Sequence, residues 1–301
     1  MTNRLLVTGA SGFLGRAFIQ ATPQCLNVVT AHSGRIAAGE LALDLRNKDN
    51  VRGVIREIRP THIVNFASLG VTRDASTLSD LIAVNTVGAL NLVEASIEEG
   101  LTPHTVMFGT AYEYADSSDR LDETARLEPR SPYAISKTTL FHALKQYDRV
   151  VPLTFLRLFN VFGIGEPAER LIPFITKMAR AREEISLTGG EQQRDFMFAD
   201  DLIEVLQRVV ALPPDPTAGM QTINVGTGEG MSLRTFISYL SRALERQGLA
   251  PKLNFGALPY RQQDPMRCVA DNSRLLSLLG NLPQTNVALA IERTVKALHE
   301  H

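Results

Sequence analysis

Short apolar, β-prone runs alternate along the first half of the chain with longer stretches of helical periodicity. Strict alternation of strands and helices is typical of a parallel sheet with right-handed crossovers. The pattern therefore predicts an α/β fold with a doubly wound parallel sheet. The predicted strands cover residues 4–8, 27–30, 41–45, 62–68, 105–110 and 153–160. The predicted helices cover residues 51–59 and 78–99, with one running to residue 20 and one starting at residue 132.

This alternation stops at Gly163, where a loop containing glycine and proline begins. A helix over residues 171–182, another starting near residue 199 and a short strand at 223–226 are predicted beyond it. We expect that strand to rejoin the large sheet, and the rest of the C-terminal region to form a smaller lobe. The predicted division is a domain of residues 1–162, to which 198–226 return, and an interleaved α/β lobe of 163–197 and 227–301.

Three glycines follow the first predicted strand directly and open the next helix, namely Gly9, Gly12 and Gly15. Residues without a Cβ allow the backbone to turn tightly and to approach a pyrophosphate, which rests on the helix N-terminus. The spacing G-x-x-G-x-x-G differs from the commoner G-x-G-x-x-G, but the physical requirement is the same. This placement predicts a dinucleotide-binding site in the domain of residues 1–162.

The residues after the second predicted strand bear on which dinucleotide binds. A carboxylate roughly 20 residues past the glycines would bind the adenosine ribose of NAD, but the sequence has none there. His32, Ser33 and Arg35 stand in its place, and small polar groups with an arginine suit a 2′-phosphate. We therefore predict NADP(H) in preference to NAD(H); the alternative is that Arg35 lies in a solvated loop. Asp44, near the end of the third predicted strand, is expected to meet the adenine amine.

A helix start at Ser131-Pro132 presents a candidate acid–base pair. Serine is a good N-cap and proline suits the first helical position. Tyr133 and Lys137 then lie four residues apart on one helix face. A phenol titrates near pH ~10, and an adjacent ammonium lowers that pKa, so the pair can exchange a proton near neutral pH. The alternative is a surface tyrosine covered by a lysine stem.

Composition and charge exclude several classes of partner. The chain has 301 residues and a formal net charge of −1, without a basic run or an acidic tail. Nucleic acid and anionic membranes are therefore not expected as partners. No leader-like segment is evident and no apolar stretch approaches ~18 residues, which predicts a soluble, cytoplasmic protein. Cys25 and Cys268 are isolated in the sequence, so we expect neither a disulfide nor a metal site.

These motifs resemble those of the extended short-chain dehydrogenases/reductases that act on nucleotide sugars, and the resemblance covers nearly the whole chain. The three glycines match the cofactor loop, and Thr110 matches the hydroxyl residue four before the tyrosine of a Tyr-Gly pair. Residues 189–275 also look like the reductases that make CDP-abequose or CDP-paratose. Residues 108–114 look more like GDP-4-keto-6-deoxymannose reductases. The resemblance implies a Rossmann-type cofactor domain and a nucleotide-diphosphate sugar as substrate.

The resemblance also implies individual contacts. Asn160 matches an asparagine that meets the sugar nucleotide, and Arg194 and Arg261 match arginines that hold its phosphates. Arginine forks fit phosphate oxygens bidentately. The implied catalytic residues are Thr110, Tyr133 and Lys137. The further implied cofactor contacts are Ser11, Phe13, Leu14, Leu45, Phe66, Ala67, Ser68, Asn85 and Phe159. The further implied substrate contacts are Ala111, Tyr112, Arg170 and Leu171.

Three departures from the family pattern leave the substrate open. Gly109 replaces a common serine, Ala115 replaces the usual glycine, and Asn65-Phe66 replaces a common His-Leu pair. None of these positions belongs to the predicted catalytic set.

The residues after Thr110 separate the reactions that this scaffold supports. The family's dehydratases carry Asp-Glu there, whereas this chain has Ala111 and Tyr112, which disfavours dehydration. A 4-epimerase usually keeps NAD bound, and the missing ribose carboxylate counts against it. We therefore expect an NADPH-dependent 4-ketoreductase acting on a nucleotide-linked 4-keto-6-deoxy sugar. The alternatives are an NAD-dependent 4-epimerase and, outside catalysis, a cofactor-sensing protein.

The resemblance further implies a homodimer, because the family commonly dimerises through two helices of each subunit. The corresponding segments here are residues 85–99 and 132–146. Their predicted outer faces carry Leu90, Val93, Leu140 and Leu144, although the same residues could face the sheet.

Overall fold

The computed structural model describes residues 4–22, 27–32, 41–70, 76–261 and 264–300, with the backbone alone for 27–32. The strands are β1 Arg4–Thr8, β2 Asn27–His32, β3 Leu41–Ala42, β4 His62–Asn65, β5 His104–Thr110, β6 Leu153–Leu158, β7 Asn160–Phe162, β8 Glu184–Leu187, β9 Gln193–Phe198, β10 Gln221–Val225, β11 Gly230–Ser232, β12 Lys252–Phe255 and β13 Arg267–Cys268. The α-helices are α1 Phe13–Ala21, α2 Lys48–Ile58, α3 Leu78–Leu81, α4 Ala89–Glu98, α5 Pro132–Leu144, α6 Leu171–Ala181, α7 Ala199–Val210, α8 Leu233–Glu245, α9 Ser273–Leu279 and α10 Val287–Glu300. A π-helix covers Ile82–Gly88, and 3₁₀ turns cover Ala111–Glu113, Lys145–Tyr147 and Pro216–Ala218.

Seven strands form the large sheet, in the order β10-β6-β5-β4-β1-β2-β3. The ladders that join β1 to β6 are parallel, which confirms the predicted doubly wound parallel sheet. The chain runs outwards from β1 to one side through β2 and β3, and then to the other side through β4, β5 and β6. Ligands of open α/β sheets bind at such a reversal point, outside the carboxyl ends of the strands. Here that point lies at the ends of β1 and β4.

The chain divides into two compact units. The first comprises Met1–Glu113, Arg126–Leu158 and Ile203–Ile223, and the second comprises Tyr114–Ala125, Phe159–Leu202 and Asn224–His301. In the second unit β9 lies between β11 and β13 and also pairs with β7, while β8 and β12 form a separate parallel pair. The unit boundary after Leu158 precedes the predicted domain boundary at residue 162, because β7 pairs with β9 rather than continuing β6.

Several predicted strands are shorter in the structure. The strand predicted over residues 41–45 is limited to Leu41–Ala42, and the strand predicted over 62–68 ends at Asn65. The run predicted over 153–160 ends at Leu158, and Asn160 starts a new strand. In the first two cases the apolar run continues past the ladder because its residues enter the core or support a loop, not because they pair. Leu43 and Leu45, for example, belong to the buried cluster between the sheet and α2 and α4.

Local sequence explains where α5 begins, as predicted. The Ser131 hydroxyl accepts a hydrogen bond from the Ala134 amide at 3.2 Å, and Pro132 occupies the first helical position. Both features stabilise a helix N-terminus. Lys137, Leu140 and Leu144 are buried on the inner side of this helix. The tyrosine and the lysine of the predicted pair are therefore presented from a well-defined helix.

The segment predicted as one helix over 78–99 is continuous but not uniform. It contains α3, the π-helix Ile82–Gly88 and α4. A π-helix accommodates an extra residue in a helical segment. The expectation that no apolar stretch approaches ~18 residues is wrong, since the 21 residues of Leu78–Glu98 form a helical segment that by length and composition alone could cross a membrane. More than half of its most apolar part is buried inside the protein, as in the core helix of a folded domain.

The residues predicted to form a dimer face lie mostly inside the protein. Val93, Leu140 and Leu144 are at most 1% exposed and belong to the main core cluster, and Leu90 packs partly against it. The alternative, that these residues face the sheet, is therefore correct for Val93, Leu140 and Leu144. The homodimer itself stays a prediction, but Val93, Leu140 and Leu144 are not available to form its interface.

Candidate active site

The glycine loop between β1 and α1 is packed so closely that it requires glycine at two positions. Gly9 has φ +68°, and a Cβ there would overlap the backbone nitrogen of Ala67, two residues beyond the end of β4. A Cβ on Gly15 would overlap the carbonyl oxygen of Gly9. The loop is closed by a hydrogen bond from the Gly12 amide to the Gly9 carbonyl at 3.1 Å. A backbone that turns this tightly before a helix N-terminus fits a diphosphate.

Side chains of the loop after Gly9 differ in exposure. Ser11 is exposed, Phe13 and Leu14 are half-buried, and the Ser11 carbonyl accepts a hydrogen bond from Arg16 at 3.1 Å. Gly12, at the N-cap position, contributes no side-chain cap to α1. The predicted cofactor residues of this segment therefore surround a helix N-terminus at which the cap residue has no side chain to accept hydrogen bonds from the first amides.

The floor of this region is a buried polar contact between two strand ends. The Thr8 hydroxyl donates to Asn65 Oδ1 at 2.5 Å, and the same oxygen accepts the Ala67 amide at 3.1 Å. The Phe66 ring stacks on Phe108 with centroids 4.8 Å apart. Asn65 thus fixes the backbone of the predicted cofactor residues Phe66 and Ala67, which gives a structural reason for the Asn-Phe departure.

Asn85, a predicted cofactor contact, is occupied within the protein. Its Oδ1 accepts from the Leu69 amide at 2.8 Å and the Ser68 hydroxyl at 3.2 Å. Its Nδ2 donates to the Leu69 carbonyl at 3.0 Å and the Ser136 hydroxyl at 2.9 Å. Asn85 is 1% exposed. Because all of these hydrogen-bond partners are protein groups, Asn85 links the loop after β4 to α5.

Three other predicted cofactor positions are also engaged or buried within the protein. The Asp44 carboxylate is paired bidentately with Arg46, at 2.8 and 2.9 Å, and this hydrogen bonding lowers the pKa of Asp44. Leu45 and Phe159 are each 6% exposed. An adenine amine would therefore meet an aspartate that already has a cationic partner. Ser33, Arg35 and the side chain of His32 lie outside the described residues.

The predicted catalytic residues of the first unit come together at the end of β5. Thr110 is the last residue of that strand, and α5 packs against both β5 and the 3₁₀ turn that follows it. Lys137 Nζ lies 5.8 Å from the centroid of the Tyr133 ring. Lys137 is 4% exposed, and burial lowers the pKa of its ammonium to about 8. Tyr133, Lys137 and Thr110 thus provide a phenol, a buried amine and a hydroxyl on adjacent elements.

Glu113 was not predicted as a site residue, although it stands three positions after Thr110. Its Oε1 accepts the Thr110 amide at 2.7 Å, and its Oε2 accepts Arg157 Nε at 3.0 Å. The Thr110 hydroxyl lies 3.4 Å from the Tyr112 amide. Thr-x-x-Glu is the spacing of a capping box, in which the acidic side chain reaches back to the first residue's amide. That spacing is the sequence signal that could have identified Glu113.

The predicted substrate residues of the second unit are partly engaged with the protein. Arg170 pairs with Glu166 at 2.8 Å and donates to the Val161 carbonyl at 2.5 Å. Arg194, 5% exposed, donates to the Pro265 carbonyl at 2.7 Å. Asn160 lies opposite Phe196 in the β7–β9 ladder, two residues along from Arg194.

The remaining predicted substrate residues differ in accessibility. Arg261 is exposed, Leu171 and Tyr112 are half-buried, and Ala111 is 2% exposed. Of the arginines in this set, Arg261 therefore presents the most accessible guanidinium. Cys268 is buried, and burial raises the pKa of its thiol to about 12, while Cys25 lies outside the described residues.

Residues 5–226 match the NAD dependent epimerase/dehydratase family. The chain belongs to this family, and it is an oxidoreductase-type enzyme of the extended short-chain dehydrogenase/reductase class, as the motifs indicated.

Similar proteins span nearly the same length. GDP-6-deoxy-D-talose 4-dehydrogenase of Aggregatibacter actinomycetemcomitans is 27% identical over 281 residues, with 92% of each chain covered. CDP-abequose synthase of Salmonella typhimurium is 25% identical, with 98% of each chain covered. The solved structure of a Thermus thermophilus UDP-glucose 4-epimerase, in complex with NAD, is 26% identical with a TM-score of 0.83. It covers 98% of this chain and 99% of its own.

Proposed function

We propose that this enzyme reduces the ketone of a nucleotide-linked 4-keto-6-deoxy sugar, with NADPH as the reductant. The observation that carries the proposal concerns the carboxylate nearest to Thr110 in the sequence. Dehydration needs an acid and a base near the sugar, and the Asp-Glu pair that the family's dehydratases carry after the threonine is replaced here by Ala111 and Tyr112. Glu113 follows them, but its side chain is 0% exposed and bonded to the Thr110 amide and Arg157. What remains beside Thr110 is a phenol, an ammonium and a hydroxyl, the set that ketone reduction requires.

Each of these groups has a task in the proposed reaction. A bound nicotinamide supplies the hydride for the carbonyl carbon. Tyr133 donates its phenolic proton to the carbonyl oxygen as negative charge develops there. The Thr110 hydroxyl donates a hydrogen bond to the same oxygen and orients it. Lys137 stabilises the resulting phenolate and binds the nicotinamide ribose. The close-packed loop at Gly9 and Gly15 would hold the diphosphate of the cofactor.

Substrate scope is tested with the purified protein, NADPH and a panel of dTDP-, CDP- and GDP-linked 4-keto-6-deoxyhexoses. A reductase should consume one NADPH for each sugar converted, which absorbance at the nicotinamide band measures. The relatives named for GDP- and CDP-sugars make those two nucleotides the first to examine.

A 4-epimerase is the second candidate, favoured by the similarity to the NAD-bound Thermus enzyme. It would interconvert UDP- or other NDP-hexoses with no net change in nicotinamide absorbance. Conversion without NADPH consumption, or NAD⁺ that co-purifies tightly with the protein, would therefore replace the reductase proposal by the epimerase one.

The proposed preference for NADPH has its own measurement. His32, Ser33 and Arg35 replace the ribose carboxylate, so NADPH should bind at least ~10-fold tighter than NADH, which corresponds to ~1.4 kcal/mol. Arg35→Ala should reduce that ratio by weakening NADPH while leaving NADH affinity nearly unchanged, because NADH has no 2′-phosphate. Fluorescence titration of both cofactors gives the ratio directly. A protein that prefers NADH would contradict this assignment.

A further inference from the structure

A buried charge pair adjoins the predicted catalytic residues and has no role in the proposed reaction so far. The side chains of Glu113 and Arg157 are both 0% exposed. The Arg157 guanidinium also lies over the Phe141 ring, 4.3 Å from its centroid. Replacing a buried ion pair by apolar residues is often neutral or stabilising. Fold stability alone therefore does not account for a carboxylate at this position.

The first contact that gives Glu113 a function is its bond to Thr110. Glu113 Oε1 accepts the Thr110 amide at 2.7 Å, across the turn that ends β5. The hydroxyl of Thr110 is attached to the same residue whose backbone is held in this way. The orientation of the proposed hydrogen-bond donor thus depends on the carboxylate.

The second contact is electrostatic and involves Lys137. Helix α5 packs against the turn Ala111–Glu113, and the Glu113 and Lys137 charges attract each other. Burial lowers the pKa of Lys137, whereas the Glu113 charge raises it. Burial likewise raises the pKa of Glu113, against the effect of Arg157 and Lys137. Each of the two buried ions therefore favours the charged state of the other.

The sequence also makes room for this carboxylate at Gly109. A Cβ at Gly109 would overlap Glu113 Oε1 and the ring of Phe155. The departure from the common serine at this position is thereby explained, since a serine and the bent-back Glu113 side chain would occupy the same space.

We propose that Glu113 is a positioning residue: one buried carboxylate fixes the backbone of Thr110 and is the counter-charge of Lys137. The inference rests on the proposed function for the roles of these two residues. It assigns no contact between Glu113 and the substrate. Glu113 acts through its neighbours. Gly109 leaves space for its side chain, and Arg157 compensates its buried charge.

Within the described part of the chain, the elements around Lys137 present the following other ionisable groups. Tyr133 lies on the same helix, Arg157 on β6, and the π-helix Ile82–Gly88 has no ionisable side chain. The others on elements packed against α5 are engaged or distant. They are Asp80, bonded to Thr77; Glu94, bonded to Lys48 and Tyr147; Glu98, paired with Lys48; Lys145, over the Phe141 ring; and His104, at the opposite end of β5. On α5 itself His142 lies beside the Phe141 ring, and Tyr112 is half-buried in the turn Ala111–Glu113.

The charge of Lys137 can be measured directly, without substrate or cofactor. The chain has six lysines, so heteronuclear NMR of the lysine side chains resolves them, with Lys137→Met giving the assignment. The wild-type ammonium should titrate near pH 8. Glu113→Gln keeps an acceptor for the Thr110 amide but removes the charge, so Lys137 should lose its proton about one pH unit lower. Glu99→Gln is the matched control, because its carboxylate pairs with Arg52 and Arg56, both on α2 and away from Lys137.

Kinetics provide the second readout. Activity that needs charged Lys137 falls as pH rises through its pKa, so the alkaline limb of kcat/KM should move down with the NMR titration. Glu99→Gln should leave this limb in place.

A neutral pair separates positioning from folding. Glu113→Leu with Arg157→Met removes both charges and preserves the apolar volume, so the fold should be retained. Lys137 should still titrate about one unit low, and kcat/KM should fall further than in Glu113→Gln, because the Thr110 amide also loses its acceptor. The proposal would be overturned if the folded double variant kept the wild-type Lys137 titration and the wild-type activity. It would also be overturned if neither Glu113→Gln nor the double variant folded. If Lys137 shifts as expected but no panel sugar is reduced by the wild type, positioning of Lys137 stands and the proposed reaction fails.

Discussion

Replacing Tyr133 by phenylalanine should lower kcat by roughly 10²–10⁴-fold, the contribution expected of a positioned general acid. The substitution removes one hydroxyl from the first turn of α5 and leaves the helix cap at Ser131 intact. Cofactor affinity should be kept, because Lys137 and the glycine loop are unchanged. Steady-state kinetics on the best panel sugar, with NADPH binding measured in parallel, give both quantities.

Tyr147→Phe is the control for this loss. Tyr147 lies just beyond the same helix, and its hydroxyl donates to Glu94 at 2.7 Å. The Tyr147→Phe substitution also removes a phenolic hydroxyl, but from a tyrosine outside the proposed site, so kcat should stay near the wild-type value. If Tyr133→Phe keeps more than about a third of wild-type turnover, Tyr133 is not the acid, because far less turnover is expected after a general acid is removed. A cofactor-sensing protein would likewise keep its function in Tyr133→Phe.

Gly9→Ala should abolish measurable dinucleotide binding and destabilise the first unit. The left-handed φ of +68° alone costs an alanine ~1–2 kcal/mol. Its Cβ would in addition overlap the Ala67 backbone nitrogen, where no side chain can rotate away. The loop must therefore move off the end of β4, and the surface shaped for a diphosphate is lost with it. Thermal unfolding and cofactor titration measure the two effects.

Gly100→Ala separates backbone strain from overlap. Gly100 has the same φ of +68°, but a Cβ there would meet no atom within 4 Å. Gly100→Ala should lower the free energy of unfolding only by the cost of the left-handed φ, and it should leave cofactor binding unchanged. Equal losses in the two variants would mean that strain, and not the approach of the loop to Ala67, sets the requirement for glycine at position 9.

The sequence predicted best those features that depend on neighbours along the chain. The cap at Ser131-Pro132 fixed the start of α5, and the glycine spacing after β1 identified the tight loop. Contacts between distant residues were missed. An apolar periodicity marks which residues share a helix face but not what that face meets, so the sequence leaves open whether Val93 and Leu140 face outward or inward, and the structure buries both.

Charged residues show a second limit, which also applies to neighbours along the chain. The ionic partners of Arg170 and Asp44 lie only four and two residues away, at Glu166 and Arg46. The resemblance assigned Arg170 to the substrate, and the position of Asp44 at the end of a predicted strand assigned it to the adenine, because neither a motif nor a strand end shows which neighbouring charges compete. Glu113 is not among the predicted site residues. Its ionic partner Arg157 is 44 residues distant, and this contact becomes visible only once β5 and β6 are paired.

The π-helix Ile82–Gly88 has an angular consequence. Each residue of an α-helix turns the chain by about 100°, so one surplus residue in the wider turn offsets the two flanking segments by about that angle. The offset lets Asn85 face Leu69 and Ser136 while Leu92 and Val93, further along, face the core. Asn85 and the residues of α4 thus keep their separate contacts within one continuous helical segment.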